Sequence, residues 1–165
     1  MNAPQTQEWG PALWRLMHTL SERVGFCGVK LHEDEKRAWI GFFSSLKFSL
    51  PCPVCRNHYR EYLKKNPVES LFNSVGESRR VGLRKWLWDF HNTVNEFKEN
   101  KNGNCNGVDF EDLVKIYGTF NNETFIQDRG VYIDHMKRGM FLRWIIRDDM
   151  MKTVTYIDQL KRILF

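Results

Sequence analysis

Pro51-Cys52-Pro53-Val54-Cys55-Arg56-Asn57-His58-Tyr59 is the stretch around which the rest of the chain is organised. Its two cysteines stand three residues apart, and positions i and i+3 share a helix face, so the sulfurs can meet. Proline is tolerated in the first turn of a helix but not in its interior, so Pro51 and Pro53 place the pair at a helix N-terminus. There the helix dipole and the unpaired N–H groups favour a thiolate and lower its pKa. Three readings of such a pair compete. A zinc site needs a second ligand pair; His58 is near, but Cys27 and Cys105 are lone cysteines. A thioredoxin-type exchanger needs a β-strand leading into the motif. The third reading is a dithiol coupled to a bound cofactor.

Outward from the cysteines the periodicity is helical. Residues 9–24 carry an apolar stripe of Leu13, Leu16, Met17, Leu20 and Val24, and Trp14 and His18 share a second face. Gly25 and Gly28 supply a stop. Residues 33–49 form a second helix, with Glu33-Asp34-Glu35 at its positive end and Ala38, Trp39, Phe42, Phe43 and Leu46 inward. A third helix runs from Pro53 to Lys65, and 67–78 reads as a loop or short turn. A fourth, over 79–99, has a bundle seam of Leu83, Leu87, Phe90, Val94 and Phe97. Asp109 is placed to cap a short fifth helix reaching Tyr117. Residues 121–130 are polar and read as loop, and one or two further helices follow Tyr132. The fold class is therefore all-α: a four-helix bundle with a short fifth helix and an extra C-terminal helical segment. The expected division is 1–118 for the bundle and 119–165 for an extension packed on it or used in oligomerisation.

The totals narrow the function classes. At 165 residues the chain can bury a real core, and 42% hydrophobic with 27% charged is ordinary for a globular protein. The aromatic share of 14% calls for large flat surfaces to cover, in a core or on an aromatic cofactor. The net charge of +5 is scattered and makes no nucleic-acid motif. No apolar run approaches the roughly 20 residues of a membrane span. Met1 to Glu8 is polar, without an apolar signal core, so a cytosolic start is expected, in which a CxxC is catalytic or metal-binding.

Beside the seam of the fourth helix lies a face of Trp88, His91, Asn92 and Asn95. With Trp14 and His18 on the first helix it makes two similar aromatic and polar faces. Adenine and isoalloxazine rings want stacking partners and edge-on amides, so the pattern suits a flavin nucleotide held between bundle helices. The bland alternative is a solvated helix face.

Taken together, Trp9-Gly10-Pro11-x-x-Trp14-x-x-x-His18, the CPVC stretch, and Trp86-x-Trp88-x-Phe90-His91-Asn92-x-Val94-Asn95 resemble the Erv/ALR family of FAD-linked sulfhydryl oxidases, over roughly residues 9–118. The resemblance implies a helical bundle cradling FAD, usually as a homodimer packed through its first two helices. It implies that Cys55 lies against the flavin while Cys52 faces outward and is attacked by substrate. Trp9, Gly10, Trp14 and His18 would line the flavin, His58 and Tyr59 would sit near its ring or ribityl chain, and Trp88, His91, Asn92, Val94 and Asn95 would hold the adenosine part. Tyr117 joins the cofactor set. It further implies a protein dithiol or small redox carrier as substrate, O₂ as acceptor and H₂O₂ as product.

The chain also departs from the family pattern. Phe97-Lys98-Glu99-Asn100-Lys101 replaces the usual Leu-Gly-Lys, leaving Lys98 and Lys101 as candidates for the FAD phosphates. Cys105 stands where a second structural pair begins, yet no partner follows, and no shuttle CxxC is present. These traits are similar to the small enzymes of large DNA viruses, which implies action in the cytoplasm of an infected cell or packaging in the virion. The alternative from another class is a flavin-free helical scaffold with a structural CxxC, in which Met140, Phe141, Trp144, Ile145 and Ile146 form an apolar patch.

Overall fold

The computed structural model describes residues 1–102 and 107–165, without the side chains of 98–102. The side chains of the two phosphate candidates, Lys98 and Lys101, and the whole of Cys105 therefore lie outside what the structure describes. Among the described residues seven α-helices follow in chain order: α1 (Thr6–Ser21), α2 (His32–Ser49), α3 (Pro53–Lys65), α4 (Gly76–Asn102), α5 (Leu113–Tyr117), α6 (Asn122–Phe141) and α7 (Arg147–Leu164). No strand occurs among the described residues, and the fold is all-α.

Helix α1 is the central element. Ten of its sixteen residues are buried, which for a single helix means neighbours on nearly every side. It starts at Thr6, a turn earlier than its apolar stripe suggests, and runs through Pro11, losing one backbone donor there. The added turn is held from outside: the Gln5 N–H donates to Nδ1 of buried His135 at 3.1 Å, and the Nε2 of that ring meets Glu8 at 2.9 Å. The helix also stops earlier, at Ser21, and Val24 is buried beyond it. Gly25 then turns the chain at φ +87°, pressed against the backbone of Gly76, where a Cβ would overlap the carbonyl.

The expected apolar face of α2 is buried, with Trp39, Phe42, Phe43 and Leu46 at 0–2% exposure. Glu35 has a different role from the one its place in the first turn suggests. It is fully buried and paired with Arg79 of α4 at 2.8 Å, while accepting from the Gly25 N–H at 3.2 Å. Arg79 also donates to the carbonyls of Ser74 and Phe72, both at 2.8 Å. With both charges multiply bonded, removal of one partner would leave the other buried and uncompensated.

The polar stretch 121–130, expected as loop, is instead the first half of α6. Asn121 caps it by accepting from the Thr124 N–H at 3.0 Å, and buried Asp128 takes a two-pronged bond from Arg15 of α1. The polar residues face α1 through an ion pair, so hydropathy hides the helix. Asp109 does not cap a helix with its side chain; a short 3-10 turn (Phe110–Asp112) follows it, and α5 comes after that. The seam of α4 is buried at Leu83, Leu87 and Phe90, half-buried at Val94 and 40% exposed at Phe97.

The C-terminal helices pack on the first two, α6 against α1 and α7 against α2. The second contact is a small-residue groove. Gly41, Ser45 and Ser49 are four apart on α2, the Thr153 hydroxyl lies 2.8 and 2.7 Å from the two serine hydroxyls, and the Tyr156 ring lies over Gly41. A Cβ on Gly41 would overlap that ring. Gly41→Ala should therefore destabilise the fold by roughly 1–3 kcal/mol through overpacking, despite its better helix propensity. Urea or thermal unfolding reads this, and unchanged or increased stability would show that α7 does not seat there.

Candidate functional site

The redox pair sits at a sharp elbow between α2 and α3. Leu50 ends α2, Pro51 forbids its continuation, and Cys52 is the N-cap of α3 in extended backbone. Its Sγ accepts the N–H of Cys55 at 3.2 Å, and the two cysteines are disulfide-bonded across a Cα–Cα distance of 5.2 Å. Two arginines of α3 close the elbow. Arg60 donates to the Lys47 carbonyl and Arg56 to the Phe48 carbonyl, so the last turn of α2 spends its free acceptors on α3. The direction of α3, and with it that of the disulfide, is tied to α2.

Both cysteines border a cleft of about 430 Å³ between α1, α3 and α4. Trp9, Gly10, Leu13 and Trp14 form the α1 wall, His58 and Tyr59 the α3 wall, and Phe90, Val94 and Phe97 the α4 wall. His58 stacks on Phe97 with centroids 5.4 Å apart, and burial pushes its imidazole below the usual range. Tyr59 lines the cleft from below the surface. It is fully buried and its hydroxyl donates to the Phe43 carbonyl, so burial holds the phenol pKa well above normal.

A second aromatic group shares Trp14 with the cleft. His91 stacks on Trp14 at 4.0 Å with planes 7° apart, and His18 stacks on Tyr117 of α5 at 4.8 Å. His18 Nε2 and His91 Nδ1 are 3.4 Å apart and share one hydrogen bond. Burial, and secondarily His91, pushes the His18 imidazole down to about 3. Tyr117 is also raised by burial, with Arg15 opposing. Trp88 is committed elsewhere: its indole N–H donates to the Val108 carbonyl at 2.7 Å, and its ring meets Phe110 edge-on. Asn92 and Asn95 are half-buried, and the Asn92 amide oxygen faces Gly107.

Three features fit a large planar cofactor. Trp9 Nε1, in the cleft wall, is one of four buried side-chain polar atoms with no hydrogen-bond partner among the described residues, and a ligand in the cleft could supply it one. At Gly10 a Cβ would meet nothing closer than Thr6 at 3.9 Å, so the cleft wall is open backbone there. The walls are aromatic faces on which a ring can stack. Thus Trp9, Gly10, Trp14, His58, Tyr59 and Val94 meet at the cleft, His18, His91 and Tyr117 meet next to it, and Trp88 supports the 107–112 segment. Phe90 and Phe97 were legible only as core seam, and their place in the cleft wall was missed. The 4, 3, 4, 3 spacing of that seam continues past the end of the core, which was the available signal. Cys27 carries a free thiol that donates to buried Glu35, and burial with that carboxylate pushes its pKa up to about 11.

A helical bundle with a Cys-x-x-Cys disulfide at the edge of an aromatic cleft is the arrangement the site presents. The Erv1/Alr family profile matches residues 11–115, and the chain belongs to that family. It is 34% identical over 95 residues to a probable FAD-linked sulfhydryl oxidase of Acanthamoeba polyphaga mimivirus, covering 58% of this chain and 62% of that protein. It is 36% identical over 90 residues to the FAD-linked sulfhydryl oxidase of an African swine fever virus isolate, covering 53% of this chain and 66% of that one. A FAD-linked sulfhydryl oxidase of Oryza sativa subsp. japonica is 31% identical over 94 residues, covering 56% and 43%. The chain thus spans less than two thirds of the length of these relatives. No solved structure matches it significantly.

His18 gives a pH signature. Its folded-state pKa lies below the ordinary histidine value, so the unfolded chain binds the extra proton between about 6.5 and about 3. Its contribution to stability is present above pH 6.5 and is lost as pH falls through that window toward 3. Protein freed of bound ligand should therefore lose stability on acidification more steeply than its His18→Gln variant, read as melting temperature against pH. Parallel curves would show that His18 is not buried as neutral imidazole.

Proposed function

We propose that the protein is a FAD-dependent thiol oxidase that forms disulfide bonds in protein substrates. The reading rests on one observation above all: the Cys52–Cys55 disulfide borders an aromatic cleft that lies inside the span matched to the family. Residues 1–118 are taken as the oxidase unit and 119–165 as a C-terminal helical extension packed on it. Bound FAD supplies a two-electron acceptor that O₂ reoxidises, releasing H₂O₂.

The remaining chemistry belongs to the chain. A substrate thiolate attacks Cys52 Sγ, the Cys52–Cys55 bond breaks, and its electron pair leaves on Cys55 as a thiolate. The N-terminal turn of α3 favours a thiolate at Cys52, whose Sγ accepts the Cys55 N–H, and so makes Cys52 a good leaving group from the mixed disulfide. A second substrate thiolate then attacks the substrate sulfur of the mixed disulfide, releasing Cys52 and closing the substrate disulfide. The two substrate thiols have lost two protons and two electrons, and the cysteine pair holds the electrons. Trp9, Trp14, Phe90 and His58 shape the ring site, and the bonds of Arg56 and Arg60 to α2 hold the sulfurs at its edge.

The similarity to oxidases of large DNA viruses supports a role in a virus-directed pathway; we place that role in the cytoplasm of an infected cell or in the virion, acting on a protein dithiol or a small redox carrier. No helix among the described residues is long and apolar enough to cross a membrane. A homodimer through the first two helices is the family expectation. Here α6 and α7 lie on those helices, so a homodimer of this chain would use another face.

Cys55→Ser should abolish dithiothreitol-driven oxygen uptake while the purified variant stays yellow. Retained turnover in that variant would refute the assignment.

A further inference from the structure

The α6–α7 turn lies beside the redox pair, outside the part of the chain matched to the family. Arg56, the residue after Cys55, bridges two carbonyls with one guanidinium nitrogen: Phe48 at the end of α2 and Trp144 in the turn. Gly139 leaves room for Ile145 and lies against Pro51, the residue before Cys52, with its Cβ position 3.6 Å from the proline ring. The turn is held rigidly. Arg143 takes φ +61°, the Trp144 N–H donates to the Gly139 carbonyl at 2.8 Å, and Ile145 is buried in the core.

Around that one buried anchor the apolar side chains point outward. Phe141 is 69% exposed, Ile146 64%, Leu142 38% and Trp144 36%. Phe48, whose carbonyl shares the Arg56 nitrogen with that of Trp144, is 49% exposed, and Val54, between the two cysteines and at the rim of the cleft, is 57% exposed. Exposed apolar groups gathered on ordered backbone mark a surface built to be covered. The chemistry at its centre says by what. A polypeptide whose thiol bonds to Cys52 must lie across the neighbouring surface, and that surface is apolar.

We propose that the α6–α7 turn, with Phe48 and Val54, is the substrate-docking edge of the oxidase, and that it receives an apolar segment flanking the reactive cysteines of a protein substrate. The proposal rests on the oxidase reading above and deepens it. Docking raises the local concentration of the substrate thiol at Cys52 without touching the sulfur chemistry. Small dithiols, which have no such segment, gain nothing from it.

Two synthetic dithiol peptides test this, identical except that leucine and phenylalanine flank the cysteines in one and serine in the other. The wild-type protein should oxidise the apolar peptide with kcat/KM about tenfold higher, a difference of roughly 1.4 kcal/mol. In the Phe141→Ser, Ile146→Ser double variant the preference should vanish through KM, with dithiothreitol turnover unchanged. Equal rates for the two peptides in the wild type, or a preference that survives in the variant, would overturn the docking edge while leaving the oxidase reading intact. A wild-type dimer that the double variant splits, with no peptide preference in either, would overturn it in favour of self-association. Absent dithiothreitol turnover in the wild type would refute the oxidase reading and this proposal with it.

Discussion

The elbow between α2 and α3 is the constraint on which the site depends. Pro51 ends one helix, Cys52 caps the next, and Arg56 and Arg60 of α3 satisfy the open carbonyls of α2. Each contact addresses an unmet backbone group at a helix end, where four acceptors or donors lack partners. The same bonds that complete the secondary structure therefore aim the disulfide. Within one turn of chain the sulfurs gain a helix N-terminus on one side and an aromatic cleft on the other. Neither helix could rotate without breaking the capping of its neighbour.

Helix α1 links that elbow to the rest of the molecule. One of its faces supplies Trp9, Gly10 and Trp14 to the cleft, and another receives α6 through Arg15–Asp128 and the His135 clamp. The C-terminal helices are consequently part of the same packed body as the site. Their turn returns to the α2–α3 elbow through Arg56, so residues far along the chain border the stretch that carries the two cysteines. The core supports this arrangement with one deeply buried ion pair, Glu35–Arg79, whose partners are all satisfied. It also leaves Cys27 protonated beside that carboxylate and chemically quiet, in contrast to the pair at the helix start.

Much of this was legible in the sequence because periodicity and caps act locally. The apolar faces of α1 and α2 and the proline-bracketed start of α3 follow from spacing alone, and the three motifs pointed to the cleft. Long-range partners were not legible. Residues 121–130 read as loop because Asp128 and its neighbours are polar, and nothing local shows that Arg15, more than a hundred positions away, faces that carboxylate. Glu35 sits where a solvated dipole partner belongs, yet it is buried by a helix that begins forty residues later. For the same reason the sequence did not show that the Trp88 N–H bonds a loop carbonyl or that Phe97 lies in a cleft wall. Gly41-x-x-x-Ser45-x-x-x-Ser49 was an unread signal, since small residues at that interval announce a closely packed neighbour.

The account turns on electron transfer from the Cys52–Cys55 dithiol to a flavin held in the adjoining cleft. Its most direct measurement is an anaerobic dithiothreitol titration of the purified protein, followed through the blue-light absorption of oxidised flavin. The account predicts one flavin per chain, bleached by the dithiol in the wild type and left oxidised when Cys52 is replaced by serine. A protein that carries no flavin, or a flavin that bleaches equally in the variant, would contradict it.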